Sequence, residues 1–234
     1  MRQSYAVPAL ALFVALAAAP PSFAGSAAPG SLRRPAETWA GSISPASGTP
    51  GLRLNEFLAG PARDWEGDGT LSTRDDEWVE LVSTAGAPLD LSSYYITDGD
   101  SIPRFAFSGT LEPGGRRLVF GSEAYAWEKA TSHPAFGLSL GNTGDQVILW
   151  QVVGADSQVV DRIAYLAHEG AADRAVGRVP DGTGEWLLFD ALDPYTGALS
   201  PGATGCLPSP GSVNSCSATA ARRVSWGGIK QIYR

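Results

Sequence analysis

The chain has 234 residues, 44% of them hydrophobic and 18% charged, with 24 acidic against 17 basic side chains and a net charge of −7. That is ample apolar material for one large β domain or two small ones, which excludes a disordered chain. A surface this acidic repels nucleic acid phosphate and favours cations or basic partners, so a nucleic acid binding role is not expected.

The first residues read as an export signal. A single charge, Arg2, precedes an apolar run from Ala9 to Ala19, and Ser22-Phe23-Ala24 places small residues where a signal peptidase reads them. Residues 1–24 are therefore expected to be a signal peptide, with the mature chain starting near Gly25. The run falls short of the about 20 residues that cross a bilayer, so the expected location is the periplasm, cell surface or exterior, with no transmembrane segment. Residues 25–50 are rich in Ala, Ser, Gly and Pro without hydrophobic period and read as a flexible linker.

The folded domain is expected over residues 51–214. Leu52 to Ala59 and Glu77 to Val82 read as strands bracketing an acidic loop. Leu91, Tyr94, Tyr95 and Ile96 suggest a third strand, and Phe105 to Phe107 a short alternating piece. Pro113 and Gly114 suit a tight turn before a strand at Arg117 to Phe120. Ser122 is expected to cap one helix over Glu123 to Ala130. Gln146 to Val153 and Gln158 to Tyr165 flank Gly154-Ala155-Asp156-Ser157, a hairpin signal. Gly177 to Gly182 reads as a turn before a last core strand at Trp186 to Phe189. About seven to nine short strands at this spacing predict an all-β, immunoglobulin-like sandwich.

The acidic loop carries the most specific chemistry. Asp64, Glu66 and Asp68, the Thr70 carbonyl, Ser72 and Asp75 fall at the spacing of a calcium loop, with Gly69 at its turn. The last ligand would be Asp where the longer Glu is usual, and the flanks read as strands where helices are usual. An acidic surface turn, with glycines serving only the backbone, is the competing reading.

Alternation along a strand puts Glu56 on one face with Leu54 and Leu58, and Glu80 on one face with Trp78 and Val82. A glutamate buried there needs a partner, and Arg178 is the expected one. The same carboxylates could instead be the acid and base of a hydrolase acting on envelope polysaccharide. Cys206 and Cys216, the chain's two cysteines, are expected to form a disulfide in an oxidising compartment. Gly137-Leu138-Ser139-Leu140-Gly141 matches the serine hydrolase pattern formally, but a strand and not a helix follows, so Ser139 with His133 or His168 is not expected to be catalytic.

Residues 215–234 form a basic aromatic tail. Arg222, Arg223, Lys230 and Arg234 occur there with no acid, beside Trp226 and Tyr233. The tail could dock on the acidic domain, serve in sorting, or hold the protein on an anionic envelope surface as a structural component.

The succession LNEFLAGPARDWEGDG, DDEWVELV, LDLSSYYITD, GTLEPGG, GLSLGNTGDQVILW, VVDRIAY, VGRVPDGTGEW and SPGSVN, running from about Leu52 to Asn214, resembles bacterial lamin tail domains. The resemblance implies an immunoglobulin-like sandwich and an exported binding or tethering module, whose partner would be a protein or an envelope glycan. It supplies no catalytic residues.

Overall fold

The computed structural model describes residues 51–216. The expected signal peptide and linker lie outside the described residues, as do Arg222, Arg223, Trp226, Lys230, Tyr233 and Arg234 of the tail. Among the described residues no helix is long and apolar enough to cross a membrane.

Two antiparallel sheets form a β-sandwich of the immunoglobulin-like type. The first contains β1 (Leu52–Leu58), β2 (Trp78–Ser83), β7 (Arg116–Phe120), β10 (Ala175–Val179) and β11 (Glu185–Phe189), in the spatial order β11-β10-β1-β2-β7. The second orders β5 (Pro103–Ala106), β4 (Tyr94–Thr97), β8 (Gly144–Val153) and β9 (Asp156–Leu166) as β5-β4-β8-β9. The two-residue strands β3 (Leu89–Asp90) and β6 (Thr110–Leu111) pair separately. The sandwich thus uses nine strands, as the strand spacing predicts.

Alternation along each strand sends one set of side chains between the sheets. Leu54 and Phe57 of β1, Val79 and Leu81 of β2, Val176 of β10 and Leu188 of β11 meet Ile96 of β4, Val147 and Leu149 of β8, and Ile163 and Tyr165 of β9. The Phe57 ring lies 4.8 Å from that of Tyr165 and 6.3 Å from that of Trp186, giving the core an aromatic centre.

The structure corrects three local expectations. Residues 177–179 belong to β10, with the turn starting only at the cis bond between Val179 and Pro180. The helix, α1 (Gly121–Ala130), has no side-chain cap; Ser122 lies inside it, and its hydroxyl donates to Glu66 of the acidic loop. The pairing of β1 with β2 shifts between Leu54 and Glu56, so Asn55 forms a bulge and Glu56 faces away from Leu54.

The bulge also marks where β1 parts from β10, whose pairing begins at Glu56. The main chain of Leu54 is completed by side chains. Its N–H donates to Asp161 Oδ2 at 3.1 Å, and its carbonyl accepts from Arg178 Nε at 3.2 Å. Arg178 Nη2 lies 3.1 Å from Asp161 Oδ1, joining β10 to β9 across the sandwich, and the guanidinium sits 4.3 Å above the Trp186 ring. Arg178 and Asp161 expose only 2% and 9% of their side chains, so removing one strands the other in the core. Asp161→Ala is therefore expected to cost about 3–5 kcal/mol, read as a lower urea midpoint.

Candidate functional site

The outer face of the five-stranded sheet holds the two strand glutamates. Glu56 and Glu80 are direct neighbours across β1 and β2, yet Glu56 is 1% exposed and Glu80 fully buried, because residues 204–216 pass over them as a strap. Ser209 N–H donates to Glu56 Oε1 at 2.9 Å, and Gly211 N–H to Glu80 Oε2 at 2.6 Å. The bulge residue Asn55 donates to Glu80 Oε1 at 2.7 Å. Asn214 Nδ2 donates to the carbonyls of Asn55 and Arg178, and its N–H to Asp181 Oδ1. Gly177 lies directly below: a Cβ there would sit 2.8 Å from Asn214 Nδ2, so the strap can approach only over a glycine. The Cys206–Cys216 disulfide closes the strap, with Cα atoms 5.4 Å apart, and Cys206 packs with Leu58, Trp78, Ala175 and Phe189.

Arg178 is not the partner of this pair. Its guanidinium turns between the sheets to Asp161, while Arg116 approaches Glu80 at 3.7 Å, an ion-pair but not a hydrogen-bond separation, and also pairs with Asp181. Parity explains the correction. Glu56 and Glu80 share the outer face with Gly177, and Arg178, one residue further, points to the opposite side.

Burial pushes Glu56 up from 4.5 to about 8, against the bonds from Ser209 that lower it. The geometry gives a reason for a proton there. Ser209 Oγ lies 2.8 Å from Glu56 Oε2 and 3.0 Å from Asn214 Oδ1, and a hydroxyl has only one hydrogen to give. A protonated Glu56 donates to Ser209, freeing Ser209 to donate to Asn214. Glu80 is raised as well, by burial, opposed by its bonds from Asn55 and Gly211. Glu77, immediately before β2, is pushed by burial up to about 8 and accepts from Leu140 N–H at 3.1 Å.

The acidic loop spends its carboxylates on its own backbone. Asp64 accepts from the N–H groups of Gly67, Asp68 and Gly69, and Asp68 from Thr70. Asp76 accepts from Trp65, Glu66 and Ser72. Asp75 takes the Ser72 hydroxyl and the Arg74 guanidinium, which holds it below the usual carboxylate range. Among the described residues no three acidic, histidine or cysteine side chains gather as a metal ion would need. In the hydrolase-like pentapeptide, Ser139 has a positive φ of 58°; His133 meets Thr131 and His168 meets the Pro201 carbonyl, and neither hydrogen-bonds Ser139.

A different surface goes unmarked by motif reading. With Val147 and Leu149 in the core, Ile148 and Trp150 of β8 face outward, as does Tyr95 of β4 between the buried Tyr94 and Ile96. Tyr95 pairs with Trp150, and Trp150 with Val159 of β9. The two rings are nearly parallel, 5° apart in plane with centroids 6.0 Å apart. Trp150 Nε1 donates to Thr97 Oγ1 at 3.1 Å, which fixes the indole. Val159 is 44% exposed, and Val152, 39% exposed on the same face, extends the apolar surface toward the hairpin tip. The signal was present in GDQVILWQVV, where Trp150 falls on the same parity as Ile148, but naming Tyr95 as its neighbour requires the strand order.

No family model, curated protein or solved structure matches this chain.

Two outcomes follow. Between about pH 4.5 and 8 the folded chain holds protons on Glu56 and Glu77 that the unfolded chain releases, so stability falls as pH rises through that window and levels above it, by at most about 1.4 kcal/mol per pH unit per group. Glu56→Gln should make the fall in Tm shallower. Asp64→Ala removes an acceptor of three amides and should cost about 1 kcal/mol in calcium-free buffer. A loss seen only with calcium present would instead assign Asp64 to a cation.

Proposed function

We propose that the protein is an exported, non-catalytic binding module of the bacterial cell envelope or exterior, whose contact surface is the outer face of the four-stranded sheet. The observation that carries this reading is the row Tyr95, Trp150 and Val159, which crosses three strands on a solvent-facing side. Aromatic side chains with few rotatable bonds supply contact area at small entropic cost, and an indole already tied to Thr97 loses little freedom on binding.

The expected signal peptide and the Cys206–Cys216 disulfide support an exported setting. The resemblance of the motif series to lamin tail domains agrees with a binding or tethering role. The hydrolase alternative has less support, because Glu56 and Glu80 lie under the strap, where a polysaccharide would have to displace Ser209 and Gly211 to reach them.

Co-sedimentation of the intact chain with isolated envelope polysaccharide tests the reading. Trp150→Ala and Tyr95→Ala should each weaken binding about tenfold or more with an unchanged unfolding transition. Unaltered binding in both variants, or release of sugar fragments during incubation, would sink it.

A further inference from the structure

Ten arginines and lysines lie among the described residues, and nine are engaged. Arg63 pairs with Asp173, Arg74 with Asp75, Arg104 with Asp98, Asp100 and Glu128, Arg116 with Asp181, Arg117 with Glu123, Arg174 with Asp193 and Arg178 with Asp161. Arg53 donates to the Val160 carbonyl, and Lys129 lies over the Tyr125 ring. Arg162 is the exception. Its side chain is exposed and makes no ion pair, hydrogen bond or ring contact among the described residues, in a chain where acids outnumber bases.

Its position connects this to the aromatic row. Arg162 pairs with Ile148 as Val159 pairs with Trp150, so all four share the outer face, with the β9 bulge between Val159 and Arg162 absorbed by Val160. Arg162 is thus the diagonal neighbour of Trp150, a separation of about 7–8 Å that a long side chain spans. The residue after it on the same face is Ala164, opposite Gln146, so this part of the face presents no carboxylate.

We propose that this face binds a carboxylated polysaccharide, with a sugar ring stacked on the indole of Trp150 and the sugar carboxylate paired with the guanidinium of Arg162. The inference rests on the binding-module reading and adds the class of ligand. The indole has its only polar atom bound to Thr97 on the neighbouring strand, so it offers a partner an electron-rich face and no hydrogen bond. The C–H face of a pyranose suits that surface. The guanidinium offers a planar fork that matches a carboxylate. Strands about 4.8 Å apart make the row from Ala106 through Tyr95 and Trp150 to Val159 about 14 Å wide, longer than one sugar ring, which favours a polymer over a free monosaccharide. Because the rest of the domain carries excess acid, the cation left unpaired among the described residues is what lets an anionic chain settle on this face.

Affinity electrophoresis of the intact chain through gels containing polygalacturonate, alginate or fully methyl-esterified polygalacturonate tests this at low and at moderate salt. The wild type should be retarded by at least one of the acidic polymers about tenfold more strongly than by the esterified one, and added salt should narrow the difference. Arg162→Gln should abolish that preference while leaving the weaker binding to the esterified polymer unchanged. Trp150→Ala should weaken binding to every polymer that the wild type binds. Equal retardation by acidic and esterified polymers, or an Arg162→Gln variant that keeps the preference, overturns the carboxylate pairing but leaves a glycan-binding face standing. Retardation that Trp150→Ala does not change overturns the face itself, and a wild type retarded by none of the three overturns the proposal. Both substituted side chains project from the solvent face, and an unfolding transition coincident with that of the wild type confirms that each variant is folded.

Discussion

The bulge at Asn55 and the clamp that accompanies it are the constraint on which the other features of the sandwich depend. One extra residue in β1 breaks its pairing, and the main-chain groups of Leu54 would be left unsatisfied in the interior. The Asp161 carboxylate and the Arg178 guanidinium supply the missing acceptor and donor and, by pairing with each other, bind β9 to β10 across the core. A buried ion pair by itself adds little to stability. Here it does more, because each partner also completes a backbone group that has no alternative.

The bulge further decides what lies outside the first sheet. It turns Glu56 to the same side as Glu80 and directs Asn55 onto Glu80, so that three polar side chains converge on a face that water would otherwise cover. The 204–216 strap roofs that face, with Ser209, Gly211 and Asn214 giving their hydrogen bonds downward and the disulfide closing the segment. All seven residues of β1 are consequently buried, although only one side of the strand belongs to the sandwich core. The raised carboxyl group of Glu56 follows from this burial, whereas Glu77 is buried away from the strap, beside the Leu140 N–H.

Charge is spent in the same manner elsewhere. The loop acids hold loop amides, Glu128 at the end of α1 holds the N–H groups of Phe136 and Gly137, and Asp190 holds those of Tyr195, Thr204 and Gly205. With so many ionic groups committed internally, Arg162, which is unpaired among the described residues and lies beside an indole fixed to Thr97, stands apart, and the proposed recognition of another molecule rests on it.

The sequence by itself determined most of the strand pattern, though not β10, together with the helix near residues 121–130, the hairpin after Val153 and the Cys206–Cys216 bridge, because each rests on local periodicity, turn chemistry or the pairing of the chain's only two cysteines. It also marked Glu56 and Glu80 as carboxylates that need a partner when buried, with Arg178 as the expected one. Which partners they take was decided by tertiary structure alone. A one-residue shift in register exchanges the two faces of a strand, and Asn55 carries no local mark of a bulge, so alternation placed Glu56 with Leu54 where the fold separates them. Ser122 was likewise legible as a helix cap but is drawn to Glu66, fifty-six residues away in sequence. Tyr95, Trp150 and Arg162 become one surface only when β4, β8 and β9 lie side by side, a juxtaposition set by long-range strand order and by no neighbouring residue.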